Sequence, residues 1–452
     1  MQRRTFLAAL GSAIPPVSAQ ARRPNLVLFL SDDHGYFDSP LYGSKVVRTP
    51  ALEELAAEGM VFTHAFTTSP CCVPSRASLM SSLHNVRNGI IGNHQDMKLG
   101  IRTMPSYLKA LGYRVAHFGK SHFQPKENYD WEWTPSNING GGPLNQDLDT
   151  AEVEKWLAAR TDTTEPVALF VNCHSPHVFW EQNSGYDPAN VELPPTFVDT
   201  PLTRQWRCRY YTDISKMDTQ LKAVRASVKR HIPQNTLFLY TSDNGSQWPF
   251  AKWNLYDAGL RMPFVISWPE VVPKASRSSA LISFLDVLPT FVELGGGKPP
   301  TGIDGKSFAA VLQGRTKQHR TEIFALHIGD KDMNVYPHRC IRTQRFKYIL
   351  NLHPEFKYTT HIDLAGDRDG KGYFDTWAAK AQTDPKAAAI VHRYHQRPAE
   401  ELYDTEQDPH EMNNLAADPR HAKTLADLRA RLKAWMKELG DDGPVQGKPQ
   451  LL

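Results

Sequence analysis

The chain has 452 residues, with 52 Lys and Arg against 48 Asp and Glu, a formal balance of +4 with His neutral. A hydrophobic share of 40%, with 10% aromatic and 22% charged residues, supports a sizeable core and excludes a mainly disordered chain. The sequence has no long run of one charge sign and no basic stripe interleaved with aromatics, which argues against nucleic acid as the main partner. It also has no apolar run long enough for a membrane span.

Residues 1–19 have the layout of an export signal. Arg3-Arg4-Thr5-Phe6-Leu7 opens an apolar stretch to Ile14, Pro15-Pro16 follows, and Val17-Ser18-Ala19 offers a small-residue cleavage site. The arginine pair resembles a twin-arginine signal, so the expected location is the bacterial periplasm or the exterior. Next, Asn25 to Leu30 is a continuous apolar run ending at Ser31-Asp32-Asp33, the pattern of a strand buried on both faces. Thr49-Pro50 starts a helix that carries Leu52, Leu55 and Ala56 on one face and stops at Gly59. Helices are predicted over about 104–111, 150–160 and 203–229. Strands follow them at Arg114 to Phe118, Val167 to Asn172 and Thr236 to Tyr240.

Four of these strands end in polar, ionisable clusters: Asp32-Asp33, Gly119-Lys120-Ser121-His122, His174-Ser175-Pro176-His177 and Ser242-Asp243-Asn244-Gly245. In open α/β sheets, ligands sit beyond the carboxyl ends of the strands, so one crevice is expected to gather all four. A further strand at Met262 to Ile266 and a helix from about Leu281 to Leu294 precede a Gly- and Pro-rich boundary at 295–300. Beyond it, short strands at Ile323 to Leu326 and Phe346 to Leu350 and an amphipathic helix over Lys423 to Leu439 predict a smaller α+β portion. The expected division is a main α/β domain over 24–320, with a large, mostly parallel sheet between helices, and a C-terminal subdomain over 321–452.

Five cysteines are too few for a disulfide scaffold, and adjacent Cys71 and Cys72 are poorly placed to pair with each other. Whether any of Cys71, Cys173, Cys208 and Cys340 pair, or all lie buried as thiols, stays open. Cys72 precedes a helix start beside Arg76, an environment that would lower a thiol pKa and make it nucleophilic. Asp32, Asp33, Asp243 and Asn244 offer hard oxygen ligands, three carboxylates and an amide. That set suits calcium, with magnesium as the alternative.

Cys72-Val73-Pro74-Ser75-Arg76 resembles the sulfatase signature C-x-P-S-R. The resemblance continues in chain order through Asp32-Asp33, Gly119 to His122, Pro176-His177, Ser242 to Gly245 and Lys252, and it ends with Glu401 to Asp404, Asp408-Pro409, Glu411 and Asn414 to Ala416. It implies the alkaline-phosphatase-like architecture and oxidation of Cys72 to formylglycine by a maturation enzyme, which adds residue 72 to the metal-facing set. It implies a hydrated aldehyde as nucleophile, with Arg76, Lys120 and Lys252 as clamps on an anionic sulfate. His177 and His122 are the acid/base candidates and His174 a third.

The stretch Asn88 to Asp96, with its N-G and H-Q-D pattern, and Asn254-Leu255-Tyr256 resemble the heparan N-sulfatase branch. Ser121, Asp257 and Arg261 follow the more general bacterial sulfatase pattern. The expected substrate is therefore a sulfated carbohydrate, with N-sulfoglucosamine leading and an O-sulfated glycan as the alternative. Phosphonate or phosphodiester hydrolysis and a silent sugar-binding relative are the competing readings. Trp131, Trp133, Trp248 and Trp253 either stack on sugar rings or pack.

Overall fold

A computed structural model of the protein describes residues 23–133, 147–269 and 271–452. The export signal expected over 1–19 lies outside them. The main sheet contains β1 (Asn25–Ser31), β2 (Met60–Phe62), β4 (Arg114–Gly119), β5 (Glu132–Trp133), β6 (Val167–Asn172), β7 (Thr236–Ser242), β8 (Phe264–Ser267) and β9 (Ser276–Ser278). Its order is β5-β4-β6-β1-β7-β8-β2-β9. The pairings from β5 through β7 are all parallel, as the apolar runs predict, whereas β8 runs antiparallel to both β7 and β2. Two short strands, β3 (Ala65–Phe66) and β10 (Ile282–Ser283), pair apart from the sheet.

Both faces of the sheet are covered, because alternate side chains of a strand point to opposite sides. Val27 and Phe29 enter one core with Leu52 and Leu55, Val153 and Leu157, and Tyr210, Ile214 and Met217 from the helices Pro50–Ala57, Thr150–Ala158 and Pro201–His231. Leu26, Leu28 and Leu30 enter the other with Leu79, Met104, Leu108 and Leu288 from the helices Cys72–Ser81, Met104–Ala110 and Val287–Leu294. The helix expected from Leu281 starts later, at Val287. Ser283 and Asp286 form a capping box around the short turn Phe284–Asp286, and that box sets the helix entry.

The C-terminal sheet is antiparallel, in the order β11 (Glu322–Asp330), β12 (Asn334–Thr343), β13 (Phe346–Asn351) and β14 (Glu400–Asp404). Leu326, Ile341, Tyr348 and Leu402 on one face pack against Leu425, Leu428, Leu432 and Trp435 of the helix Ala422–Leu439. On the other face, Ala325, Cys340, Ile349 and Tyr403 join the main core. The seam also buries charge. Arg342 and Lys347 both reach Asp257, and Lys347 also meets Glu411, whose second oxygen accepts the Asp257 amide at 2.6 Å. The long strand β12 and the helices Lys371–Ala381 and Pro385–His395 have no counterpart in the sequence reading. All five cysteines are free and buried. Among the described residues, no helix is long and apolar enough to cross a membrane.

Candidate active site

The carboxyl ends of β1, β4, β6 and β7 converge as the sheet rule requires. Gly119 makes the close approach feasible, since its φ of +78° favours glycine and a Cβ there would lie 1.9 Å from the Asn172 carbonyl. Asp32 and Asp33 follow β1, and Asp33 takes a φ of +69° that turns its carboxylate toward β7. The Asp33 amide donates to Asp243 Oδ1 at 3.2 Å, and Asn244 Nδ2 donates to Asp33 Oδ1 at 2.7 Å. Cys72 opens the helix Cys72–Ser81, where the first turn's N–H groups have no helical partners, and its Sγ lies 3.4 Å from Asp32 Oδ1. Ser75 anchors that helix by donating to the Asp243 carbonyl, while Thr67 donates to Ser75 Oγ at 2.7 Å.

Every carboxylate has a cation against it. Arg76 reaches Asp243 Oδ2 through Nε at 2.8 Å and Asp32 Oδ2 through Nη2 at 3.3 Å. Lys120 pairs with Asp32, and Lys252 pairs with Asp33 Oδ2 at 2.7 Å. Both lysines are 2% exposed, so Lys252 is a buried site residue although it lies on a loop. Burial pushes the Asp33 carboxyl up to about 7, with help from Asp32 and Asp243 and against Lys252. Asp243 is also raised, by burial and then by Asp32. Burial acts on Asp32 as well, but Lys120, His177 and Arg76 outweigh it and hold Asp32 well below the usual carboxylate range.

These donors fit a divalent cation. The ligand atoms of Asp32, Asp33, Cys72 and His177 lie within 4.8 Å of one another. Asn244 Oδ1 is a buried acceptor with no hydrogen-bond partner among the described residues. Hard oxygens crowded until they resist ionisation are what a cation such as calcium relieves.

The thiol itself behaves differently from the sequence expectation. Burial and the neighbouring Asp32 raise Cys72 well above the ordinary thiol pKa and outweigh the lysines, so the site does not make a thiolate. His177 Nδ1 donates to the Val178 carbonyl at 2.6 Å, which can only accept, and its Nε2 stands 3.8 Å from Asp33 Oδ2. Burial, Lys120 and Lys252 push its pKa well below the usual imidazole value. Burial, Lys120 and Arg76 do the same to His122, whose Nδ1 is buried with no hydrogen-bond partner among the described residues. His122 lines a cleft beside the nucleophile with Val73, His94, Gln95, Asp96, Ser121 and Gln124. The ring of His174 lies 4.9 Å from that of His177, and Asp147 holds the segment by accepting the His174 amide at 2.7 Å.

Several expectations change. Trp131, Trp248 and Trp253 are 6%, 1% and 2% exposed, stacked on His117, Trp180 and His361, so they pack rather than face a sugar. The side chain of Trp133 lies outside the described residues. Asp257 belongs to the charged seam, with Arg261 3.6 Å from it. Three residues near the site escaped the sequence reading, Asp147, Asp330 and His361, each isolated from any motif.

The sequence profile described as Sulfatase matches residues 24–297, more than half of the chain. The chain belongs to the sulfatase family. A second profile, N-sulphoglucosamine sulphohydrolase, C-terminal, matches residues 245–371 of this sulfatase. An ulvan-active sulfatase of Formosa agariphila is 32% identical over 443 residues, covering 95% of this chain and 83% of the relative. The human N-sulphoglucosamine sulphohydrolase is 29% identical over 464 residues, covering 93% and 91%. The fold matches that of BT4656, solved in complex with its substrate D-glucosamine-2-N,6-O-disulfate, with a TM-score of 0.73 at 20% identity over 93% and 99% of the two chains. The fold is thus the alkaline-phosphatase-like architecture of the sulfatases, which generally use formylglycine and a divalent metal.

Proposed function

We propose that this sulfatase removes sulfate from a sulfated carbohydrate, with the N-sulfate of N-sulfoglucosamine as its leading substrate. The observation that carries the reading is the burial of three carboxylates, three cations and one unpartnered amide oxygen around Cys72. The C-terminal profile match and the likeness to the human N-sulphoglucosamine enzyme support the N-sulfate. The somewhat higher identity to the ulvan-active relative favours a second reading, an O-sulfated polysaccharide.

In this reading Asp32, Asp33, Asp243, Asn244 and residue 72 hold calcium, with magnesium as the alternative. When bound, the ion supplies Lewis-acid stabilisation of a sulfate oxygen. Formylglycine at position 72 supplies a hydrated aldehyde, an oxygen nucleophile in place of the poorly ionised thiol. Arg76, Lys120 and Lys252, already desolvated and fixed by the carboxylates, neutralise the charge that grows on the equatorial oxygens. The Nδ1–H bond of His177 to Val178 leaves Nε2 to carry the proton that the leaving group takes. Burial first, and then Lys120 and Lys252, hold that ring neutral; an arriving anion offsets the two lysine charges and so raises its proton affinity. His122, which lines the cleft beside residue 72, is the second acid/base candidate.

The remaining proposals follow from the same reading. The chain is exported to the periplasm or beyond through residues 1–19, a maturation enzyme oxidises Cys72, and catalysis belongs to residues 24–320 with 321–452 as a covering subdomain. The test is a comparison of aryl sulfate with aryl phosphate, followed by a panel of sulfated monosaccharides that includes N-sulfoglucosamine. Faster turnover of the sulfate ester is expected. A strong preference for phosphate contradicts the proposal.

A further inference from the structure

Beside the nucleophile, a second group of polar side chains is assembled from distant parts of the chain. Asp330, the last residue of β11, is 2% exposed. Its carboxylate accepts from His94 Nδ1 at 2.9 Å and from Asn93 Nδ2 at 3.0 Å, and His361 Nε2 lies 3.6 Å away. Asn93 turns its own Oδ1 to the Val73 amide at 3.3 Å, one of the first-turn N–H groups of the helix that Cys72 opens. On the other side, the His361 ring stacks on Trp253 at 4.9 Å and 12°, and Trp253 follows Lys252, the partner of Asp33. Asp330 is therefore braced against the nucleophile helix on one side and against the lysine segment on the other.

His94 is the member of this group that faces outward. Its side chain is 46% exposed, it lines the cleft with His122, and the two rings are 6.1 Å apart. Its φ of +57° lies in the left-handed region. A carboxylate can only accept, so Nδ1 donates to Asp330, which fixes the orientation of the ring and leaves Nε2 as its remaining polar atom.

We propose that His94 is a specificity-determining contact for the sugar that bears the sulfate, its Nε2 hydrogen-bonding to a ring hydroxyl, with Asp330 as the residue that positions it. The inference rests on the carbohydrate reading above. Sulfate transfer itself does not use the pair, so its loss separates sugar recognition from chemistry.

The test uses matured, metal-loaded enzyme with N-sulfoglucosamine, glucosamine 6-sulfate and 4-nitrophenyl sulfate, the last lacking a sugar. His94→Ala is expected to raise KM for the sugar that the wild type prefers by about tenfold or more, with turnover of 4-nitrophenyl sulfate changed by less than about threefold. Asp330→Asn is expected to act in the same direction, and His94→Gln, which restores a polar hydrogen-bonding group, to recover part of the loss. Equal losses on sugar and aryl substrates, with or without a lower melting temperature, would make the pair scaffold and overturn the proposal. An unchanged sugar KM would overturn it too. A wild type that hydrolyses only 4-nitrophenyl sulfate overturns the carbohydrate reading and this inference with it, whereas a wild type inactive on all three contradicts sulfate hydrolysis itself.

Discussion

At the carboxyl end of the main sheet and at the seam between the two sheets, the fold buries the same kinds of charge and leaves them in different states. At the seam, the charged heads close on one another: Lys347 meets Asp257 and the Leu255 carbonyl, Arg342 grips both oxygens of Asp257 at 3.2 Å, and Glu411 Oε1, outside any hydrogen bond among the described residues, is held by the Lys347 ion pair at 2.7 Å. At the site, the pairs are equally buried, yet Arg76 Nη1 and Asn244 Oδ1 have no hydrogen-bond partner among the described residues. Buried ion pairs alone therefore do not mark a catalytic centre. The unspent donors and acceptors beside a cleft do.

The strongest way to break this contrast is at the nucleophile. Cys72→Ala is expected to lower sulfate release by a factor on the order of 10⁴ or more while leaving the melting temperature within a few degrees, because the side chain is small and the core lies elsewhere. A kinetic and thermal comparison checks both halves, and unfolding of the variant would count against a purely chemical role. Removing the metal with a chelator is expected to reduce turnover by about 10²–10³-fold, restored by calcium, measured on the same aryl ester. Full activity after chelation would remove the ion from the account. His177→Ala is expected to cost about 10²-fold on substrates with poor leaving groups and much less on 4-nitrophenyl sulfate. Equal losses would take the proton role away from it.

The seam should respond in stability rather than rate. Lys347→Met leaves two carboxylates facing each other and is expected to lower the unfolding free energy by about 3–5 kcal/mol in urea titrations, with turnover per folded molecule unchanged. A smaller effect is pH-dependent. Burial would raise Asp257, but Arg342, Lys347 and Arg261 outweigh it and hold its carboxyl far below 3.8. Its stabilising contribution is therefore complete above that value and is lost as pH falls below it. The stability gap between wild type and Asp257→Asn is expected to narrow on acidification from pH 5 to 3, and a gap that widens would reverse the sign.

The site was more legible in the sequence than the fold around its edges. Apolar runs that stop at Asp32-Asp33, Lys120, His177 and Asp243-Asn244 signal the strand ends because a strand buried on both faces leaves no room for such residues earlier. The antiparallel turn of β8 was not legible, since a short apolar run reads the same in either direction. Residues 321–452 hid more, because Pro337, His338 and Arg339 break the apolar pattern of β12, and Arg339 meets its partner Asp441 only in the folded structure. Periodicity could not reveal the tryptophans' packing or the thiol's raised pKa, both products of tertiary burial. Asp330 and His361 carry no local signal because their meaning arises only when β11 brings Asp330 to Asn93 and His94 and the helix His361–Leu364 brings His361 to Asp330.

The most direct test of the account is the mass of the Cys72 peptide from enzyme produced alongside its maturation partner, read against the specific activity of the same preparation. The account predicts an aldehyde at position 72 in a fraction that tracks sulfate release. Full activity in protein whose residue 72 is entirely thiol would contradict it.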